Sequence, residues 1–104
     1  MEIPASVKCI DTRAFYKCKN LKRVVFTDES QLETIGNECF RSSGIEEITL
    51  PSKLKEIGDG AFYRCNNLKI YMKDGCEASF VGARVSDLTC IIPLSTALVG
   101  GIGI

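Results

Sequence analysis

Six cysteines and no histidine stand in a chain of 104 residues, and that combination decides which reactive chemistry is within reach. A thiol becomes a strong nucleophile or metal ligand when a base or cation next to it stabilises the thiolate. Without histidine, neither Ser-His-Asp nor Cys-His machinery can be assembled, and no His-ligated metal site can form. The cysteines are Cys9, Cys18, Cys39, Cys65, Cys76 and Cys90. No two of them make a CxxC pair, so the spacing for zinc or thioredoxin-like chemistry is missing. The sequence therefore reads as non-enzymatic, with no catalytic residue, cofactor or metal expected.

The charges say as much about partners. Thirteen Lys and Arg balance thirteen Asp and Glu, so the formal net charge is zero. A nucleic-acid or anionic-membrane surface needs a basic excess, so neither is an expected partner. Hydrophobic content of 45 % with 25 % charged residues is an ordinary globular balance, and the length suits one domain.

What positions these side chains is a repeat. Ala14-Phe15-Tyr16-Lys17-Cys18 recurs as Cys39-Phe40-Arg41-Ser42-Ser43 and as Ala61-Phe62-Tyr63-Arg64-Cys65. The phenylalanines are 25 and then 22 residues apart, and a period in the twenties is the signature of a stacked solenoid. Before each Phe stand Val7-x-x-Ile10, Leu32-x-x-Ile35 and Leu54-x-x-Ile57. After it come Leu21-x-x-Val24-x-Phe26, Ile45-x-x-Ile48-x-Leu50 and Leu68-x-Ile70-x-Met72. The runs Val24–Phe26, Ile48–Leu50 and Ile70–Met72 alternate inward and outward positions, which predicts short strands stacked in one parallel sheet about 4.8 Å apart. The segments 12–16 and 58–63 around the Phe are expected to form a short helical or 3₁₀ turn. Phe15, Phe40 and Phe62 are expected to stack as a ladder in the core.

The stretch from Pro51 to Leu68 reads Pro-x-x-Leu-x-x-Ile-Gly-x-x-Ala-Phe-x-x-Cys-x-x-Leu. It resembles the BspA-like class of leucine-rich repeats, over about residues 3–72. The Ala-Phe-x-x-Cys-x-x-Leu core is intact in the first and third units. The second unit departs from it, with Cys39 at the Ala position, Ser43 at the Cys position and one residue fewer before Ile45. The resemblance implies a leucine-rich-repeat solenoid, mostly β or of α/β type, with a parallel sheet on one face. It also implies a surface or secreted protein that works by adhesion or protein binding.

The outward positions carry a second pattern. Lys8, Glu33 and Lys55 alternate in sign from unit to unit, as do Lys22-Arg23, Glu46-Glu47 and Lys69. Stacked rungs would make these unlike charges neighbours, each exposed pair contributing a few tenths of a kcal/mol. The same strand positions are the expected binding face: Arg23, Val25, Glu47, Thr49, Lys69 and Tyr71. The expected ligand is a protein or cell-surface molecule. The alternative is a structural end-piece of a longer array, with no ligand of its own.

Within the repeat, Cys18 and Cys65 share one position two rungs apart, on the order of 10 Å, which is beyond disulfide reach. Together with Ser43 between them, they read as small inward corner groups. Cys39 reads as core packing. Cys9 aligns with Thr34 and Glu56 and is therefore expected at the surface. An exposed thiol suits a reducing compartment, while the resemblance implies the cell surface, so localisation stays open. Met1–Pro4 has neither a basic nor an apolar leader pattern, and the chain reads as the later part of a longer one. Residues 1–72 are assigned to the repeats and 73–92 to a divergent cap, with one helical turn at 77–80 and a last strand at 89–92. Residues 93–104 are assigned to an apolar tail, with membrane contact only if that tail is the start of an anchor.

Overall fold

The computed structural model describes residues 1–80, 82–85 and 89–94. Its strands are β1 (Glu2–Ile3), β2 (Cys9–Ile10), β3 (Arg23–Phe26), β4 (Thr34–Ile35), β5 (Glu47–Leu50), β6 (Glu56–Ile57), β7 (Lys69–Lys73) and β8 (Cys90–Leu94). All pairings are parallel. The chain winds as a β-solenoid, and the five strands β1-β3-β5-β7-β8 stack in that order into one ladder. Five stacked strands are joined by about four turns of coil, one more than the three Phe units alone suggest. The strand expected over 89–92 lies at Cys90–Leu94 and pairs with β7.

A second ladder, β2-β4-β6, runs along another side of the coil. It is built from the Cys9-Ile10, Thr34-Ile35 and Glu56-Ile57 pairs, where a single sheet was expected. Two residues suffice for a rung, because parallel partners above and below supply the backbone bonds that a lone strand lacks. Just past Ile35 and Ile57, the rungs close to near contact. A Cβ on Gly36 would lie 2.5 Å from the Thr12 nitrogen, and one on Gly58 would lie 2.4 Å from the Asn37 nitrogen. Only glycine lets backbone approach backbone this closely.

The third side corrects the expectation of a helical or 3₁₀ turn at each Phe. Backbone N–H groups alternate between two destinations. Ala14, Tyr16 and Cys18 donate three residues back, to Asp11, Arg13 and Phe15, while Arg13, Phe15 and Lys17 donate across to Asn37, Cys39 and Arg41 of the next unit. A helix would turn every N–H along the segment, so rungs could not bond to one another. The alternation instead requires left-handed backbone at Arg13, Lys17, Glu38, Ser42 and Arg64, all with φ between 52° and 62°. Arg13, Lys17, Glu38 and Ser42 each donate a backbone N–H to the next rung, and these bonds over-determine the unfavourable conformation. Residues 77–80 are not helical either; Ala78 is buried and Phe80 packs at the end of the core.

Between the three sides lies one apolar core. Leu32, Ile35, Phe40, Leu50, Phe62 and Ile70 are completely buried. Phe15 and Phe40 stack with centroids 5.3 Å apart and planes 10° apart; Phe40 and Phe62 follow at 5.5 Å and 2°. Phe80 extends the ladder, tilted by 41° at 6.5 Å from Phe62. Cys39 and Cys65 are buried among these rings, and Cys9 and Cys90 are exposed. The Cys65 thiol donates to the Phe40 carbonyl at 2.9 Å, and its sulfur lies 3.7 Å from the Ser43 hydroxyl. All six cysteines are free thiols. Of the expected tail, residues 95–104 lie outside the described residues, as do 81 and 86–88 of the expected cap.

Candidate functional site

Strand alternation decides which residues of the main ladder meet solvent. Val24, Phe26, Ile48, Leu50 and Ile70 point into the core, so their neighbours in sequence point out. Register then sorts the outward residues into two rows. Arg23, Glu47, Lys69 and Cys90 are successive partners in one row. Glu2 pairs with Val25, Thr49 with Tyr71 and Tyr71 with Ile92 in the other. All six residues singled out from the sequence, Arg23, Val25, Glu47, Thr49, Lys69 and Tyr71, therefore lie on one face. Val25 and Ile92 are exposed, at 39 % and 37 %, and Thr49 and Tyr71 are half-buried.

The face has a hollow of about 400 Å³ lined by Arg23, Val25, Glu47, Thr49 and Lys73, with the edges of Val24, Phe26 and Ile48 as its floor. Arg23 reaches Glu47 at 2.7 Å, and Lys22 lies 4.0 Å from Glu46 beside it. The sign alternation of the sequence thus becomes inter-rung ion pairs between the β3 and β5 rungs, while among the described residues no ion pair engages Lys69 or the Lys8, Glu33 and Lys55 series. Lys73 crosses two rungs to hold Asp28, and its cation keeps that carboxyl below the usual range through a hydrogen bond and direct attraction. Lys69 and Tyr71 stand outside the hollow. Lys73 and Asp28 were not singled out from the sequence, and neither were Ile92 and Cys90. The last two follow from register once β8 is known to pair with β7, but the sequence carries no unit-like motif there.

The turn side carries a second constellation that the Phe pattern concealed. The residue after each Phe is Tyr16, Arg41 and then Tyr63, and the three stack along the axis. The Arg41 guanidinium lies 6.0 Å from the Tyr16 ring centre and 5.0 Å from that of Tyr63. Arg13 and Lys17 also sit over Tyr16, at 5.5 and 5.3 Å. Arg64 and Arg84 sit over Tyr63, at 5.4 and 5.9 Å. Glu38 ties the centre together, bonding Arg41 and, at 2.8 Å, Arg13. Arg41 first and Arg13 second hold the Glu38 carboxyl below its ordinary 4.5. Arg64 draws the Tyr63 phenol below its ordinary value. The signal was present in the sequence as an aromatic-cation-aromatic alternation one residue past the Phe.

Burial governs the thiols. Desolvation pushes Cys39 up to about 12 and Cys65 in the same direction, so neither is an activated nucleophile. Among the described residues, no group of three or more His, Cys, Asp or Glu could hold a metal ion, and no helix is long and apolar enough to cross a membrane.

Two strand ladders and a bonded turn side around one apolar core, filled by the same residue types at each turn, are what a repeat module requires. Neither the curated proteins nor the solved structures gave a match to this chain. The family model of the BspA type leucine rich repeat region matches residues 1–77 in six copies. The chain belongs to the BspA-type leucine-rich repeat family.

Proposed function

We propose that the chain is a non-enzymatic interaction module whose outward main ladder binds a protein, including one displayed on a cell surface. The contact residues in this reading are Arg23, Val25, Glu47, Thr49, Lys69 and Tyr71. The observation that carries it is the hollow of about 400 Å³ on this face, with apolar Val25 beside the charged Arg23–Glu47 pair. A stacked parallel ladder is rigid, so side chains on it are presented at fixed spacing and lose little freedom on binding. Exposed Val25 and Ile92 with half-buried Tyr71 supply the apolar and aromatic area of an interface centre, and the ion pairs supply a polar rim. Repeat families of this type are typically non-enzymatic, and the raised thiol values of Cys39 and Cys65 point the same way.

The test compares the wild type with Thr49→Arg/Tyr71→Ala, each immobilised and exposed to intact cells and to detergent-solubilised cell-surface proteins. Both residues are half-buried on the outward face, so the double variant is first shown by far-ultraviolet circular dichroism to be folded at the assay temperature. Loss of a specific captured protein in the double variant is the expected result. Full retention by a folded double variant would place the binding elsewhere.

A further inference from the structure

The Tyr16–Arg41–Tyr63 stack has two flanks that differ in charge. On one flank the backbone bonds place Arg13 beside Glu38, and Glu38 engages Arg13 and Arg41 there. On the other flank the bonds from Lys17 to Arg41 and from Ser42 to Tyr63 put Lys17, Ser42 and Arg64 on three successive rungs. Among the described residues, the three positions of this second flank carry no carboxylate. Among the described residues, no ion pair engages Lys17 or Arg64. Both are held close against tyrosine rings, which fixes where their charge lies. All three flank residues have left-handed backbone, with φ of 57°, 58° and 62°, so their Cα–Cβ bonds leave the coil in a like direction.

The geometry points to a docking strip for an acidic segment of a partner protein in polyproline II conformation, its carboxylates three residues apart. The argument is one of pitch. Lys17 and Arg64 are two rungs apart, or about 9.6 Å at roughly 4.8 Å per rung. One turn of polyproline II is three residues of about 3.1 Å each, or about 9.3 Å. A fully extended strand repeats its side at about 6.8 Å, which fits neither one rung nor two. Ser42, on the rung between the two cations, offers a hydroxyl to the backbone of such a segment, whose carbonyls are unpaired in this conformation. Single-stranded nucleic acid fits less well. It needs open aromatic faces for bases to stack on, and here the ring faces of Tyr16 and Tyr63 are already covered by Arg41 and its neighbours. The zero net charge also supplies no long-range pull on a dense polyanion.

This strip lies on a different side of the coil from the proposed strand face, so the two stand or fall separately. The experiment titrates the protein at low ionic strength with a twelve-residue Glu-Pro-Pro repeat and with a peptide carrying the same four Glu at alternate positions. Heparin and an oligo-uridylate are run beside them. The expected result is binding of the Glu-Pro-Pro peptide at least fivefold tighter than of the alternate-spacing peptide, lost at high salt. Lys17→Asn/Arg64→Asn should weaken it at least tenfold, since asparagine accepts the left-handed backbone and removes only the charge. Thr49→Arg/Tyr71→Ala should leave it unchanged. Equal affinity for the two peptides would overturn the proposal. So would undiminished binding by a folded Lys17→Asn/Arg64→Asn variant, or binding of heparin or the oligo-uridylate with both peptides silent.

Discussion

Truncating the phenylalanines one at a time tests the whole packing argument, because the structure ranks their costs before any measurement. Phe40 and Phe62 are completely buried. Each has a ring on both sides: Phe15 and Phe62 flank Phe40, and Phe40 and Phe80 flank Phe62. A buried Phe→Ala change costs about 3–5 kcal/mol, with each lost ring pair accounting for about 0.5–1.5 of it. Phe15 is half-buried and has one ring neighbour, so its truncation should cost roughly half as much, about 1.5–2.5 kcal/mol on the same scale. Against a domain stability of about 5–15 kcal/mol, Phe40→Ala or Phe62→Ala approaches the threshold of unfolding. The double variant Phe40→Ala/Phe62→Ala should cost less than the sum of its parts by about 0.5–1.5 kcal/mol, because the shared ring pair can be lost only once.

The assay is urea denaturation followed by far-ultraviolet circular dichroism, since the chain has no tryptophan to report on its core. With a urea dependence of about 1–3 kcal/mol per molar, the two buried truncations should move the midpoint by one molar or more. Two results would refute the reasoning. One is Phe15→Ala costing as much as Phe40→Ala. The other is strict additivity in the double variant, which would mean that the rings do not touch.

Three further outcomes follow from particular residues. Gly58→Ala should destabilise by about 1–3 kcal/mol, because its Cβ would meet the Asn37 backbone at 2.4 Å; a thermal melt unchanged by the substitution would contradict the close approach. N-ethylmaleimide at pH 8, read by peptide mass spectrometry, should label Cys9 and Cys90 rapidly and leave Cys39 and Cys65 untouched until urea unfolds the chain. Glu38 has a folded pKa below its ordinary 4.5, so the stability it adds is complete above that value and is lost as pH falls through the folded one. The melting difference between wild type and Glu38→Gln should therefore be constant from pH 6 to 5 and shrink below pH 4.5; a difference that grows in acid would reverse the assigned sign.

The sequence made the main ladder legible because strand alternation and repeat spacing act on the same residues. Once Val24, Ile48 and Ile70 are inward, Arg23, Glu47 and Lys69 must be outward and in register, and the structure has them so. Charge alternation down that row became the Arg23–Glu47 pair for the same reason. The second ladder was hidden because its rungs are two residues long, too short to show any alternation. The turn side was misread because its apolar spacing imitates a helical turn. Its true conformation depends on bonds to the next rung, which no local propensity contains. Phe80 was missed because the unit around it has lost the repeat's polar triplet while keeping its ring at the end of the stack.

The same distinction bears on where recognition can evolve in this coil. Inward positions are fixed twice, by the core and by the rung above, so Phe40, Ile48 and Leu50 are bound to their type. Left-handed corner positions are fixed in backbone more than in side chain, since the inter-rung bonds at Lys17 and Ser42 come from main-chain atoms. A corner of this kind can exchange Lys for Ser or Arg at little structural cost and still hold the new group at a set height and angle. Outward strand positions share that property, and there too the register comes from the backbone and the chemistry from the side chain. A binding specificity written at either place can change without unfolding the coil, whereas one written on the Cys39 or Cys65 thiols could not, because burial has already committed those groups to the core.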